Sequence, residues 1–98
     1  MMIVKKHFTP DKRLILAICD DELQGKKIED EKRLLDLSSA FYDGEAIEDE
    51  EIEKLVRAAY MLNVVGKASI DFVKSMGFEI HVVVVDNVPH AQIVIENG

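Results

Sequence analysis

The chain has 98 residues, of which 48% are hydrophobic and 32% charged, and its formal net charge is −7. This balance describes one small globular domain spanning residues 1–98 and excludes a disordered chain. The single cysteine, Cys19, excludes an intramolecular disulfide and fits a reducing compartment. No apolar run approaches the ~18–20 residues of a membrane span, and MMIVKKHFTP lacks the apolar core of a signal peptide. The expected location is therefore cytoplasmic, with no membrane association.

The charge is uneven along the chain. Residues 1–33 carry eight Lys or Arg against seven Asp or Glu, whereas residues 34–98 carry four against twelve. An acidic balance argues against bulk electrostatic capture of nucleic acid, which depends on Lys and Arg displacing counterions. The near-neutral first third leaves room for a local basic patch.

In chain order, residues 2–8 (MIVKKHF) predict a strand, Thr9-Pro10-Asp11-Lys12 a turn, and residues 13–19 (RLILAIC) a strand buried on both faces, because polar alternation is missing. The two strands are expected to form an antiparallel hairpin. A charged, irregular stretch follows, in which Gly25 marks a special backbone conformation. Residues 33–37 predict a short third strand, and Asp43-Gly44 a turn. Ile52, Leu55, Val56, Ala59 and Leu62 recur at helical spacing and predict a helix over 48–63. The acids Glu48–Glu51 fall in its first turn, where the helix dipole favours negative charge by about 0.3–1 kcal/mol. Gly66 breaks the pattern, and residues 69–76 predict a second helix ending at Gly77. Residues 78–85 (FEIHVVVV) and 90–95 (HAQIVI) predict two strands around a turn at 86–89. The order ββ(β)ααββ gives an α+β fold: a small, mostly antiparallel sheet of four or five strands with two helices on one face.

Few side chains are candidates for chemistry. In a strand, His90 and Gln92 share one face and Ala91, Ile93 and Ile95 the other, so the imidazole and amide point away from the obvious core. The competing account makes His90 a turn residue and Gln92 a solvated one. Asp20 and Glu22 follow a buried strand, where functional loops often sit, and either is a candidate base; the simpler account is a polar loop bonding nearby backbone amides. Cys19, surrounded by acids, reads as a small core residue. Asn63 precedes the Gly66 break and suits the bonding of freed backbone groups there. A helix-turn-helix reading fails because SIDFVKSMG offers Asp71 and Lys74 where base-reading side chains are needed, so DNA is not an expected partner. Phe41 reads as core, with Tyr42 at its rim. Phosphate loops, dinucleotide fingerprints and paired Cys-x-x-Cys motifs are absent, and three scattered His with one Cys do not suggest a metal site. No cofactor is expected.

Taken together, CDDELQGK (19–26), FYDGE (41–45), LNVVGK (62–67) and VPHAQIV (88–94) resemble a small archaeal family known as domain of unknown function 424, over nearly the whole chain and in the same order. The resemblance implies that Asp20, Glu22 and Gly25 belong to a Cys-Asp-x-Glu-x-x-Gly motif. It assigns Phe41, Tyr42, Gly44 and Glu45 to an aromatic turn, Asn63 and Gly66 to Asn-x-x-Gly, and Pro89, His90, Ala91 and Gln92 to a terminal run. The chain departs at Gln24, where Leu is expected, and at Lys67, where Glu is expected. The resemblance implies an archaeal cytoplasmic protein and brings no activity with it. It also implies that His90, Gln92, Asp20 and Asn63 converge on one concave surface, with Glu22, Gly25, Tyr42 and Gly66 completing the candidate binding set.

The leading expectation is a non-enzymatic binding module for RNA or for a protein of the translation or RNA-processing machinery. The alternative is a small hydrolase or isomerase using His90 and Asp20 as an acid–base pair, which requires hydrogen-bond reach between them, directly or through one water. A homodimer formed through an edge strand at 90–95 is a third expectation.

Overall fold

The structure, a computed structural model, describes residues 2–95. Strands β1 (Met2–Phe8) and β2 (Leu14–Asp20) form the expected hairpin, paired from Met2↔Asp20 to Phe8↔Leu14. Its turn is closed by the Lys12 amide donating to the Thr9 carbonyl at 2.9 Å, with Pro10 fixing φ at the position that needs it. The charged stretch that follows is not irregular. Strands β3 (Lys27–Glu29) and β4 (Leu34–Asp36) make a separate two-stranded sheet. Asp30 shapes its tip by accepting the Lys32 and Arg33 amides at 2.8 and 2.9 Å.

Strand β5 (Glu45–Ile47) leads into helix α1 (Asp49–Ala58), then β6 (Met61–Val65), α2 (Lys67–Ser75), β7 (Val83–Val85) and β8 (Val88–Val94). The main sheet has six strands in the order β5-β1-β2-β6-β8-β7. All pairs are antiparallel except β2 with β6, which is parallel. The fold is α+β with two helices, as expected, but the sheet is larger than four or five strands and is mixed.

The main cause is β6. The helix expected over 48–63 stops at Ala58, Ala59 takes an extended conformation, and Met61–Val65 enters the middle of the sheet. Helical spacing carried through Leu62 only because a residue facing the core from a strand happened to fall in phase with Ile52 and Val56. The β-branched pair Val64-Val65 is the local feature that favours the strand. The expected 78–85 strand shrinks to Val83–Val85, and Phe78, Ile80 and Val82, outside it, pack half-buried against the helix-face core. Asp86 and Asn87, with φ of 45° and 66°, form the two-residue turn alone. Val88 and Pro89 therefore already belong to β8, which lies between β6 and β7 rather than at the sheet edge predicted for 90–95.

The sheet separates two cores. On one face, Leu16, Ile18, Leu62, Val64, Ala91 and Ile93 meet Ile52 and Val56 of α1 and Ile70 and Val73 of α2. On the other, Ile3, Cys19, Val65 and Val85 are covered by Ile28 and Leu37 of the β3–β4 arm. The arm covers only one end of this second face.

Candidate functional site

Asp20 ends β2 on the helix face, in step with Leu16 and Ile18. It is 5% exposed, and its carboxylate accepts hydrogen bonds from the Ala68 amide (3.2 Å), the Ser69 amide (2.8 Å) and the Ser69 hydroxyl (2.7 Å). The two amides are orphan donors of the α2 N-terminus, so Asp20 caps that helix from a distant strand. Gly66 is the residue that lets it. A Cβ at Gly66 would lie 2.3–2.6 Å from the Asp20 carboxyl atoms, and φ there is +107°. Two members of the predicted binding set thus serve one internal contact.

Glu22 lies on a single 3-10 turn, Asp21–Leu23, and is exposed. It borders an open depression of about 460 Å³ shared with Asp20, Asp49 and Asp71. No group of three or more His, Cys, Asp or Glu side chains among the described residues is arranged to hold a metal ion. Gly25, with φ of +84°, begins the β3–β4 arm and donates its amide to the Leu37 carbonyl at 2.9 Å. Gln24 reaches from this loop to the carbonyls of Tyr42 (3.4 Å) and Gly44 (3.3 Å), tying two of the four motif segments together.

The remaining candidates lie on the arm side of the sheet. Direct cross-strand partners project from the same face, and the ladder places Asn63 opposite Gln92 and, one step along, Val65 opposite His90. His90 is half-buried between Val65 and Val83, and its Nε2 is enclosed with no hydrogen-bond partner among the described residues. Burial first, and the charge of Arg33 second, lower its pKa below the ordinary 6.5 and favour the neutral imidazole. Gln92 is exposed and touches the Met61 sulfur at 3.3 Å. Asn63, half-buried, makes no side-chain hydrogen bond among the described residues.

Tyr42 packs into the arm-side core, where burial, with a smaller contribution from Cys19, raises its pKa. The expected roles of the two aromatics are reversed. Phe41 is the one at the rim, stacked on His7 at 4.2 Å and 6°, with its edge to Tyr42 at 5.2 Å. The His7 Nε2–H donates to the Phe41 carbonyl at 2.9 Å. Cys19 is fully buried, and burial with the nearby acids pushes its thiol up to about 11, as its core reading requires.

Asn63, His90 and Gln92 therefore do come together, but Asp20 does not join them. Its carboxylate is committed to α2 on the opposite side of the sheet, so it cannot form an acid–base pair with His90. Sequence reading passed over His7 and Lys5 as members of the same face. The signal was there in the alternation of β1, which puts Ile3, Lys5 and His7 on one side.

No curated protein matches the chain. Among solved structures, it is similar to the crystal structure of an uncharacterized conserved protein from Methanopyrus kandleri, at 26% identity and a TM-score of 0.77, covering 94% of this chain and 89% of that one. No helix among the described residues is long and apolar enough to cross a membrane. A model of the family described as "Protein of unknown function (DUF424)" matches residues 7–95, which is nearly the full length and includes all four motif segments, so the chain belongs to the DUF424 family.

Proposed function

We propose that this protein is a non-enzymatic binding module that takes single-stranded RNA on the open half of its arm-side sheet face. One observation carries the reading. In a chain with 19 Asp and Glu residues, no strand position on that face holds a carboxylate. Along the registers, the exposed or half-buried positions beyond the arm are Lys5, His7, Ile15, Met61, Asn63, His90, Gln92 and Val94, with the buried Ala17 between Lys5 and Asn63. Phosphates meet no strand-borne carboxylate there, the His7–Phe41 stack offers a ring surface for a base, and the Asn63 and Gln92 amides offer hydrogen bonds to base edges. The single buried thiol without a disulfide partner accords with a cytoplasmic RNA, and we place the partner in the translation or RNA-processing machinery.

Lys5 is the one cation among these positions, so affinity arises mainly from stacking and base contacts. Each phosphate neutralised on a single strand contributes a slope of about −0.7 in log K against log salt. One or two such contacts give a slope of about −0.7 to −1.4. Fluorescence anisotropy with a labelled mixed-sequence 12-mer tests the reading. We expect binding with this shallow slope, weaker binding to the duplex form, and a loss of about tenfold for Phe41→Ala, since base–aromatic stacking is worth about 1–3 kcal/mol. Absence of binding to any single strand, with a protein captured on the same face instead, would replace RNA by a protein partner.

A further inference from the structure

Given single-stranded RNA on this face, a reading the inference depends on, the geometry points to a base-selective contact: we infer that Asn63 and Gln92 together read the edge of an adenine. The two side chains are direct cross-strand partners on the carboxylate-free face, with Cβ atoms about 4.5–5.5 Å apart by sheet geometry. Neither amide is spent within the protein. Asn63 makes no side-chain hydrogen bond among the described residues, and Gln92 touches only a thioether, a weak acceptor. Two adjacent carboxamides on an open face ordinarily bond each other; here Gln92 turns toward Met61 instead, leaving the Asn63 amide open.

A carboxamide presents a donor and an acceptor side by side. On the Hoogsteen edge adenine alone answers with a donor beside an acceptor, its N6 amino group and N7, the pairing by which Asn and Gln read that base, whereas uracil offers only O4 there. Guanine presents two acceptors, O6 and N7, and calls for Arg or Lys. The only Lys in this cross-strand row is Lys5, which stands three strands from Gln92, beyond Ala17 and Asn63, about 14 Å at 4.7–4.9 Å per strand. Cytosine is read through N4 by a carboxylate, which the face lacks. His7, which carries the stack with Phe41, stands two strands from Asn63 and two residues along the ladder, in the row of Ile15 and Met61, a span of about 12 Å that suits a neighbouring nucleotide.

The test uses the full chain and labelled 8-mers of oligo(rA), oligo(rU) and oligo(rC), with an rA 8-mer whose adenines are replaced by purine, which lacks N6. We expect oligo(rA) to bind about tenfold tighter than oligo(rU), oligo(rC) or the purine oligomer. Gln92→Ala and Asn63→Ala should each bring oligo(rA) down to the level of the others. Gln92→Glu, which replaces the amide donor with an acceptor, should shift the C-to-A affinity ratio toward cytosine, a change that loss of folding would not produce. Equal affinity for all four oligomers, with Phe41→Ala still weakening each of them, overturns adenine reading and leaves RNA binding standing. Failure of every oligomer to bind overturns both.

Discussion

The two faces of one sheet treat polar side chains in opposite ways. On the helix face, Asp20 is almost fully enclosed and spends its carboxylate on three donors at the start of α2, in space that Gly66 leaves clear. On the arm side, Asn63 and Gln92 are committed to almost nothing, and the His90 Nε2 is enclosed without a partner among the described residues. Both sets lie in the four segments that carry the sequence resemblance, within the residues that the family model matches. The difference teaches that a polar motif residue near a strand end is explained only once its donors and acceptors are counted. The Asp20–Gly66 pair accounts for itself within the fold; the arm-side trio does not.

The comparison is broken most severely at Asp20. Removing this carboxylate by Asp20→Ala strands two amides and a buried hydroxyl, and we expect a loss of about 2–3 kcal/mol, a fall in Tm of roughly 10–20 °C for a domain of this size. Gly66→Ala should cost a similar amount by displacing the same carboxylate. Because both act through one contact, the double variant should lose much less than the sum of the singles. Thermal melts followed by circular dichroism measure all three, and full additivity would show that the two residues act separately.

A smaller effect sharpens the other side. His90 has a lowered pKa in the folded protein, so between its folded value and the unfolded value near 6.5 the unfolded chain binds more protons. The contribution of His90 to stability is therefore complete above about pH 6.5 and is lost as the pH falls through the folded value. Urea midpoints should decline with acid over that window, and His90→Gln should flatten the decline. An unchanged slope would assign the acid sensitivity elsewhere. The smallest effect is expected at Asn63→Ala and Gln92→Ala, which should leave the melting free energy within about 0.5 kcal/mol. A large loss at either would move that residue to the structural side of the comparison.

Part of this was legible from residues alone. The β1–β2 hairpin, the stop of α2 shortly before Gly77 and the core face formed by Ala91 and Ile93 follow from local turn chemistry and periodicity. So does the shared face of His90 and Gln92. What escaped depends on distant partners. Met61–Val65 looked helical because its phase matched α1, and only β2 and β8 on either side make it a strand. Ile28, a lone apolar residue in a charged run, gave little sign of an arm until Leu35 stood opposite it. The cap role of Asp20 was invisible because the helix it serves begins at Lys67, far along the chain. Asn63 reached the arm-side face only through the same change from helix to strand.

The parallel union of β2 with β6 has a kinetic consequence. Residues 21–60 intervene between these two neighbours, whereas β1 with β2, and β7 with β8, meet across short turns. Closing the long connection loses more chain entropy than closing either turn, and pairings distant along the chain slow folding. The short-turn hairpins, β3 with β4 among them, therefore close at lower entropic cost than the seam between Ile18 and Val64, which joins the two halves of the main sheet.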